Sequence, residues 1–248
     1  MKAPANWFLD WFNSPYYYQL YAAHDDAEAV GFIEKLLQVL QPAPGSRMLD
    51  LACGRGRHAR ILAAHGFDVT GLDIAPNSIN YAKKFEQENL HFFQHDMRLP
   101  FHVNYFDTAF NFFTSFGYFQ TDREHQKALR AVGHSLKRGG RLVLDYLNSP
   151  YAAAHLATGM EKEVDGVRFI VSKWQDATHF YKSIRVEDKK LNKTLEFMER
   201  VAKFTIEDFT RLCTQAGLQI VQVFGDYNLQ PYREAASPRL ILIAARTH

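Results

Sequence analysis

The fold class is indicated most clearly by the run Met48-Leu49-Asp50-Leu51-Ala52-Cys53-Gly54-Arg55-Gly56-Arg57-His58 and, downstream, Val69-Thr70-Gly71-Leu72-Asp73. The first run has the composition of a buried strand, a glycine turn and the start of a helix. The second has the composition of a buried strand that ends on a carboxylate. Glycine at positions 54 and 56 permits a sharp turn and a close approach of a ligand to the backbone, because no Cβ stands in the way. Together the runs predict the first βαβ unit of a doubly wound sheet.

Two kinds of ligand are bound by such a turn. The segment Gly54-Arg55-Gly56-Arg57-His58-Ala59 fits the dinucleotide pattern G-x-G-x-x-A, and Asp73 lies about 20 residues on, where a ribose hydroxyl would be bound. Asp50 argues against this interpretation, because a carboxylate beside a pyrophosphate is repelled, whereas an ammonium or a sulfonium would be attracted. A dinucleotide-dependent oxidoreductase therefore remains the alternative hypothesis.

The sequence resembles the class I S-adenosylmethionine-dependent methyltransferases of the small-molecule type. In that family an acidic residue precedes the glycines of the first motif, and the second and third strands each end on an acid. Asp50, Asp73 and Asp96 occupy these three positions. The segment 136–142 fits the family pattern LKxGGxL, and the segment 114–119 is similar to the TSFGYF segment of the small-molecule enzymes.

The resemblance covers about residues 45–147 and resumes near the C-terminus. It implies an α/β fold, with a doubly wound, Rossmann-like, seven-stranded sheet that is mostly parallel and has an antiparallel last strand. Four segments are predicted: 1–44 as an N-terminal helical lid, 45–150 as the cofactor-binding α/β core, 151–204 as a small antiparallel β insertion, and 205–248 as the completion of the core sheet.

The insertion is predicted from the loss of strand and helix alternation after the fifth strand. Alternating apolar residues favour three strands there, at 167–174, 180–186 and 193–204. Upstream, Thr121 and Glu124 match a capping box that opens a helix, which we expect to end at Gly139-Gly140 before a strand at 141–145.

Composition is ordinary for a globular protein, with 47% hydrophobic and 23% charged residues among 248. The net charge of +2 and the lack of a long Lys/Arg block argue against a nucleic-acid surface. Two cysteines and scattered histidines give no metal-ligand spacing, and no disulfide is expected. Without a signal-like or membrane-spanning stretch, we expect a soluble, cytoplasmic protein.

The resemblance implies S-adenosyl-L-methionine as cofactor, with S-adenosyl-L-homocysteine as its product. Asp73 would accept hydrogen bonds from both ribose hydroxyls, for which the two oxygens of a carboxylate are well suited. Asp96 would accept from the adenine amine while the Met97 amide donates to a ring nitrogen. Asp50 would bind the methionine ammonium directly or through water.

The remaining cofactor contacts are predicted around these three acids. They would come from the glycine turn, the helix that follows it, the end of the fourth strand and the N-terminal lid. These residues are Ala52, Cys53, Gly54, Gly56, Arg57, His58, Ile74, Phe112, Phe113, Tyr17 and Tyr21.

Residues facing the acceptor are predicted by the same resemblance to be Tyr118, Tyr146 and Asn148. Arg233 is added as a residue of the loop 225–238, which we expect to shape the acceptor pocket together with the insertion. The predicted reaction is in-line methyl transfer to a small-molecule acceptor, which depends mainly on alignment and proximity, so no general base is assigned. A further alternative is a non-catalytic module that binds the cofactor and uses the β insertion for self-association, so the insertion is also a candidate surface for a homodimer.

Overall fold

The protein is described by a computed structural model that covers residues 7–21 and 26–247. Residues 1–6 and 22–25 of the predicted lid segment lie outside this part. The helices are α1 Trp7–Phe12, α2 Pro15–Leu20, α3 Asp26–Leu40, α4 Arg57–Ala64, α5 Pro76–Ala82, α6 Asp122–Ser135, α7 Ser149–Ala154 and α8 Ile206–Gln215. The strands are β1 Arg47–Leu51, β2 Asp68–Asp73, β3 Leu90–Gln94, β4 Phe106–Asn111, β5 Leu136–Leu147, β6 Gly159–Val164, β7 Val167–Gln175, β8 His179–Asp188, β9 Lys193–Ala202, β10 Leu218–Phe224 and β11 Arg239–Arg246.

Seven strands form the main sheet in the order β10-β11-β5-β4-β1-β2-β3. The pairs from β5 to β3 are parallel, whereas β11 is antiparallel to both of its neighbours. The predicted fold class is therefore confirmed. This order places the carboxyl ends of β3, β2, β1 and β4 next to one another, where open α/β sheets bind ligands.

Helices cover both faces of this sheet. One face is packed by α3, α4 and α5, and the other by α6 and α8. In α3, Ala29, Phe32, Ile33, Leu36 and Leu40 are buried at helical spacing, so one stripe of the helix faces the sheet. The central strands are apolar on both sides, as expected for strands with both faces covered.

The insertion is a separate antiparallel sheet in the order β6-β7-β8-β9. Its first strand, β6, was not predicted, because its sequence Gly-Met-Glu-Lys-Glu-Val is charged and exposed and shows no apolar alternation. The helices α1 and α2 pack on this sheet: Trp11 and Tyr16 join a buried cluster with Phe169 and Ile184. The division of the chain into four segments stays a prediction.

The predicted end of α6 was wrong. The helix ends at Ser135 rather than at Gly139-Gly140, and β5 begins at Leu136. Leu136 has extended backbone angles, is fully buried and pairs with Phe106 of β4, so its burial in the sheet ends the helix. The capping box at Thr121 and Glu124 is present as predicted.

No helix among residues 7–21 and 26–247 combines the length and the apolar character needed to cross a membrane.

Close packing at Gly71 generates a stability prediction. A Cβ there would lie 2.5 Å from the Phe92 ring and 2.9 Å from the Cys53 sulfur, so the core must shift. We expect Gly71→Ala to lower the free energy of unfolding by about 1–3 kcal/mol in urea denaturation. The control is Gly31→Ala in α3, where a Cβ meets nothing within 4 Å and where alanine should stabilise the helix by about 0.5–1 kcal/mol. Equal effects of the two substitutions would contradict the packing argument.

Candidate functional site

A cavity lies at the carboxyl ends of β1 to β4, beneath α1 and α2. Its floor comes from the loops that follow these strands, and its roof comes from aromatic side chains of the two N-terminal helices. The lining residues are Phe8, Phe12, Tyr17, Tyr18, Ala52, Gly54, Leu72, Asp73, Ile74, Ser78, His95, Asp96, Met97, Phe113, Ser115, Tyr118 and Phe119.

The turn after β1 forms the centre of the floor. Ala52, Gly54 and Gly56 all have positive φ angles, of 56°, 57° and 79°. At Gly56 a side chain would also collide with the Phe92 ring, 2.5 Å from an ideal Cβ. Glycine at this position thus serves both the backbone conformation and the packing of the turn against β3. Gly56 and Cys53 are buried beneath the turn rather than lining the cavity.

Asp73, the last residue of β2, connects this turn to the next loop. One carboxylate oxygen accepts from the Gly54 amide at 2.8 Å, and the other accepts from the Ala75 amide at 2.8 Å. Burial raises the pKa of Asp73, and these amide hydrogen bonds oppose that effect only in part. Each oxygen can accept a second hydrogen bond, so the carboxylate can still bind two hydroxyls of a ligand.

Asp96 and Met97 follow β3 and line the cavity. The Arg98 guanidinium binds both carboxylate oxygens of Asp96, with its Nε at 3.1 and 3.0 Å, and also binds Glu124 at 2.6 Å. Partial burial raises the pKa of Asp96, but the hydrogen bonds and charge of Arg98 outweigh it and hold the pKa below its usual value. Asp96 is therefore an ionised acceptor at the cavity wall.

Asp50, in β1, lies beneath the glycine turn with 1% of its surface exposed. Its Oδ2 atom is buried and has no hydrogen-bond partner among the described residues. Burial raises the pKa of Asp50 to about 8; a hydrogen bond from the Ala59 amide lowers it, and the nearby Asp73 raises it further. A buried acceptor left unsatisfied in this way is a site for a donor from a ligand or a water molecule.

The turn after β4 contributes Phe113 to the cavity. Phe113 and Thr114 both have positive φ angles, of 54° and 56°, and such a conformation costs about 1–3 kcal/mol for each non-glycine residue. Phe113 lies 5.3 Å from the His58 ring, centroid to centroid, and the Arg57 guanidinium lies 5.0 Å from the Phe113 ring. Phe112 is buried, and its ring lies 4.5 Å from the His58 ring, centroid to centroid. Neither Phe112 nor His58 lines the cavity.

The structure places the two predicted lid residues, Tyr17 and Tyr21, at different sites. Tyr17 lines the cavity, whereas Tyr21 does not. The Tyr21 hydroxyl donates to Glu199 of β9 at 2.9 Å and also contacts Lys182 of β8. The placement of Tyr21 over the cofactor was therefore wrong, because the nearly buried Glu199 carboxylate requires donors and draws this hydroxyl to the insertion.

Tyr18 takes the position over the glycine turn instead. Its hydroxyl lies 2.7 Å from the Ser78 hydroxyl of α5, and the Arg55 guanidinium lies 3.7 Å from the centroid of its ring. Sequence reasoning missed Tyr18 and Ser78. It also missed Phe8 and Phe12, which line the cavity from α1; their i, i+4 spacing on an aromatic helix was a signal that could have identified them.

Of the predicted acceptor-facing residues, the structure places Tyr118 in the cavity wall and the other three elsewhere. Tyr146 is fully buried, and its hydroxyl donates to the Ala202 carbonyl at 2.6 Å. Asn148 is also fully buried and donates to the carbonyls of Glu234 and Ser237, each at 2.7 Å. Tyr146 thus joins β5 to the end of β9, and Asn148 binds the loop before β11, because buried polar groups need partners.

Arg233 is exposed and does not line the cavity. The predictions for Tyr146 and Asn148, which are buried outside the cavity, were wrong, whereas that for Arg233 stays a prediction. Among residues 7–21 and 26–247, no group of three or more His, Cys, Asp or Glu side chains is arranged to hold a metal ion.

Comparisons with known proteins agree with this fold. Residues 48–140 match the family described as "Methyltransferase domain". A Geobacillus sp. (strain WCH70) protein with a provisional methyltransferase name is 25% identical over 87% of this chain and 90% of its own length.

Two solved structures are similar in fold. An S-adenosylmethionine-dependent methyltransferase from Clostridium acetobutylicum superposes with a TM-score of 0.79 at 19% identity, covering 94% of this chain and 96% of that chain. The amino pentose methyltransferase CalS10 from Micromonospora echinaspora, in a form with bound S-adenosylmethionine, gives a TM-score of 0.69 at 22% identity, covering 94% and 98%. The chain therefore has the fold of these S-adenosylmethionine-dependent methyltransferases, and its residues 48–140 match the methyltransferase domain family.

Proposed function

We propose that this protein binds S-adenosylmethionine in the cavity described above and transfers its methyl group to a small-molecule acceptor. One observation carries the proposal: three acidic side chains lie near the carboxyl ends of three adjacent strands, with Asp73 and Asp96 lining the cavity and Asp50 buried beneath the glycine turn of its floor. A nucleoside with a cationic tail presents three groups that suit these acids, namely a base amine, a cis-diol and an ammonium.

The strand order supports an extended placement of this ligand. From Asp96 after β3, through Asp73 and the glycine turn, to Phe113 after β4 there are three strand intervals. At about 4.8 Å for each interval they span about 14 Å. We assign the adenine to Asp96, Met97 and Ile74, the ribose to Asp73, and the methionine end to the turn after β1 and to Phe113.

The residues present fit this cofactor. The unsatisfied Oδ2 of Asp50 provides an acceptor for an ammonium, directly or through water. At Gly54 a Cβ would intrude within 3.2 Å of the Tyr18 hydroxyl, so glycine leaves this space open. Arg57 lies at the start of α4, where a carboxylate would meet both its side chain and the exposed helix amides.

The bound cofactor would supply a methyl group on a positively charged sulfur, which an acceptor displaces in line. The chain contributes alignment and exclusion of water, which can supply about 7–11 kcal/mol at their upper limit. The aromatic side chains that roof the cavity, Phe8, Phe12, Tyr17 and Tyr18, exclude water, and ring faces attract a cation by about 0.5–2 kcal/mol. No general base is assigned.

A small-molecule acceptor is supported by the lining of the cavity, which is mostly aromatic and apolar and holds a few polar side chains, as is usual for sites that bind small ligands. The roof of α1 and α2 packs on the insertion sheet. We assign the acceptor to the part of the cavity that Tyr118 and Phe119 line. A cytoplasmic location and a homodimer formed through the insertion stay predictions.

Cofactor binding is tested by titration calorimetry. We expect S-adenosylmethionine and S-adenosylhomocysteine to bind and NADH not to bind. Asp73→Asn should weaken both affinities about tenfold to a hundredfold, because charge-assisted hydrogen bonds are worth about 1.5–3 kcal/mol. The matched control is Asp68→Asn at the other end of β2, where the side chain is 42% exposed and far from the cavity. Binding of NADH without S-adenosylmethionine would favour the dinucleotide-dependent oxidoreductase.

The raised pKa of Asp50 predicts proton release. With a pKa of about 8, the carboxyl is mostly protonated at pH 7, and an incoming ammonium favours the charged form. Binding should therefore release up to one proton, and affinity should rise by up to tenfold from pH 6 to pH 7. Calorimetry in buffers of different ionisation enthalpy measures this release. Asp50→Asn should abolish it, and a buffer-independent enthalpy in the unmodified protein would contradict the assignment.

Methyl transfer is tested with cofactor labelled in its methyl group and a metabolite extract. With the unmodified protein we expect label in low-molecular-mass products. Asp73→Asn should lose that labelling, whereas Asp68→Asn should keep it. Label in protein or RNA would overturn the small-molecule assignment. Tight binding of S-adenosylhomocysteine without any labelled product would favour a non-catalytic binding module.

A further inference from the structure

The strained turn after β4 is held by groups outside the cavity. Phe113 and Thr114 adopt left-handed backbone angles, although neither is glycine and Thr114 is β-branched. Two consecutive residues in this conformation persist only where surrounding contacts enforce it. The contacts that hold this turn therefore bear on the shape of the cavity, because Phe113 lines it.

Asp145 of β5 binds both strained residues. Its Oδ2 atom accepts from the Phe113 amide at 2.8 Å, and its carbonyl accepts from the Thr114 amide at 3.0 Å. Asp145 is completely buried and does not line the cavity. It can therefore act on a ligand only through the turn.

Arg239, the first residue of β11, balances this buried charge. Its Nε donates to Oδ1 of Asp145 at 2.8 Å, and its terminal nitrogen donates to the Thr114 hydroxyl at 3.0 Å. Tyr227 completes the support: its hydroxyl donates to Asp145 at 3.2 Å, and its ring lies 5.4 Å from the Phe113 ring. The guanidinium fork thus ties two strands and the strained turn into one unit.

We infer that Asp145 and Arg239 are positioning residues that hold the Phe113–Thr114 turn against the methionine end of the cofactor. This inference rests on the proposed function. It predicts a selective effect, because the turn follows β4, whereas the adenine and ribose contacts are assigned to the loops after β3 and β2. Loss of the pair should weaken binding of the intact cofactor and leave binding of its nucleoside part almost unchanged.

The experiment compares two probes by calorimetry, S-adenosylmethionine and adenosine, on the full chain. In Arg239→Gln and Asp145→Asn we expect the dissociation constant of S-adenosylmethionine to rise at least tenfold and that of adenosine to change less than threefold. The matched control is Arg246→Gln at the other end of β11, where the guanidinium binds Asn104 and the Leu136 carbonyl. That variant should leave both affinities within threefold.

A rescue variant separates positioning from general stability. Asparagine tolerates left-handed angles better than threonine, so adding Thr114→Asn to Arg239→Gln should recover at least threefold of the lost affinity. If Arg239→Gln does not fold, Arg239→Lys can be used instead, because it keeps the positive charge but loses the two-pronged guanidinium. It should also weaken binding of S-adenosylmethionine more than binding of adenosine, but by a smaller factor. Equal weakening of both probes, or no weakening in a folded variant, would overturn the inference. Failure of the unmodified protein to bind S-adenosylmethionine would instead overturn the proposed function.

Discussion

The site depends on one hydrogen bond, from the Gly54 amide to the Asp73 carboxylate. It joins the turn after β1 to the end of β2, so these two segments of the first βαβ unit are held in a fixed position relative to each other. The positive φ angles of Ala52, Gly54 and Gly56 give the turn its shape, and the bond fixes its position relative to the neighbouring strand. The remaining cavity wall is assembled around this pair.

Buried carboxyl groups are concentrated at this edge of the sheet. Asp50, Asp73 and Asp145 are each at least nine-tenths buried. They differ in their hydrogen-bond partners. Asp145 has an arginine partner, Asp73 has two backbone amides, and Asp50 keeps one oxygen without a partner among the described residues. Isolated buried charge is costly, so the unsatisfied Asp50 is the position at which a cationic ligand gains most. The structure thereby places, among the residues it describes, buried acids with and without a cationic partner at one edge of the sheet.

The N-terminal helices connect the cavity to the insertion. On one side, Tyr18 contacts Ser78 and Arg55 of the core; on the other, Trp11 and Tyr21 donate to Glu199 of β9. The roof is therefore held between two sheets that lie far apart in the chain. Its aromatic side chains meet mostly edge to face, as the rings of Trp11 and Tyr17 do at 5.6 Å between centroids, an arrangement that aromatic pairs favour.

The seven-stranded sheet was implied only by the resemblance to a known family. The sequence by itself determined the first βαβ unit, the capping box at Thr121 and the acids near the ends of the strands. These features depend on local spacing and on glycine, whose signals lie within a few residues. Tertiary structure decided which side chains face the cavity. The Tyr21 hydroxyl donates to Glu199, 178 residues downstream, and the Tyr146 hydroxyl donates to the Ala202 carbonyl of β9. Such choices are made by contacts between distant segments, and periodicity along the chain carries no information about them.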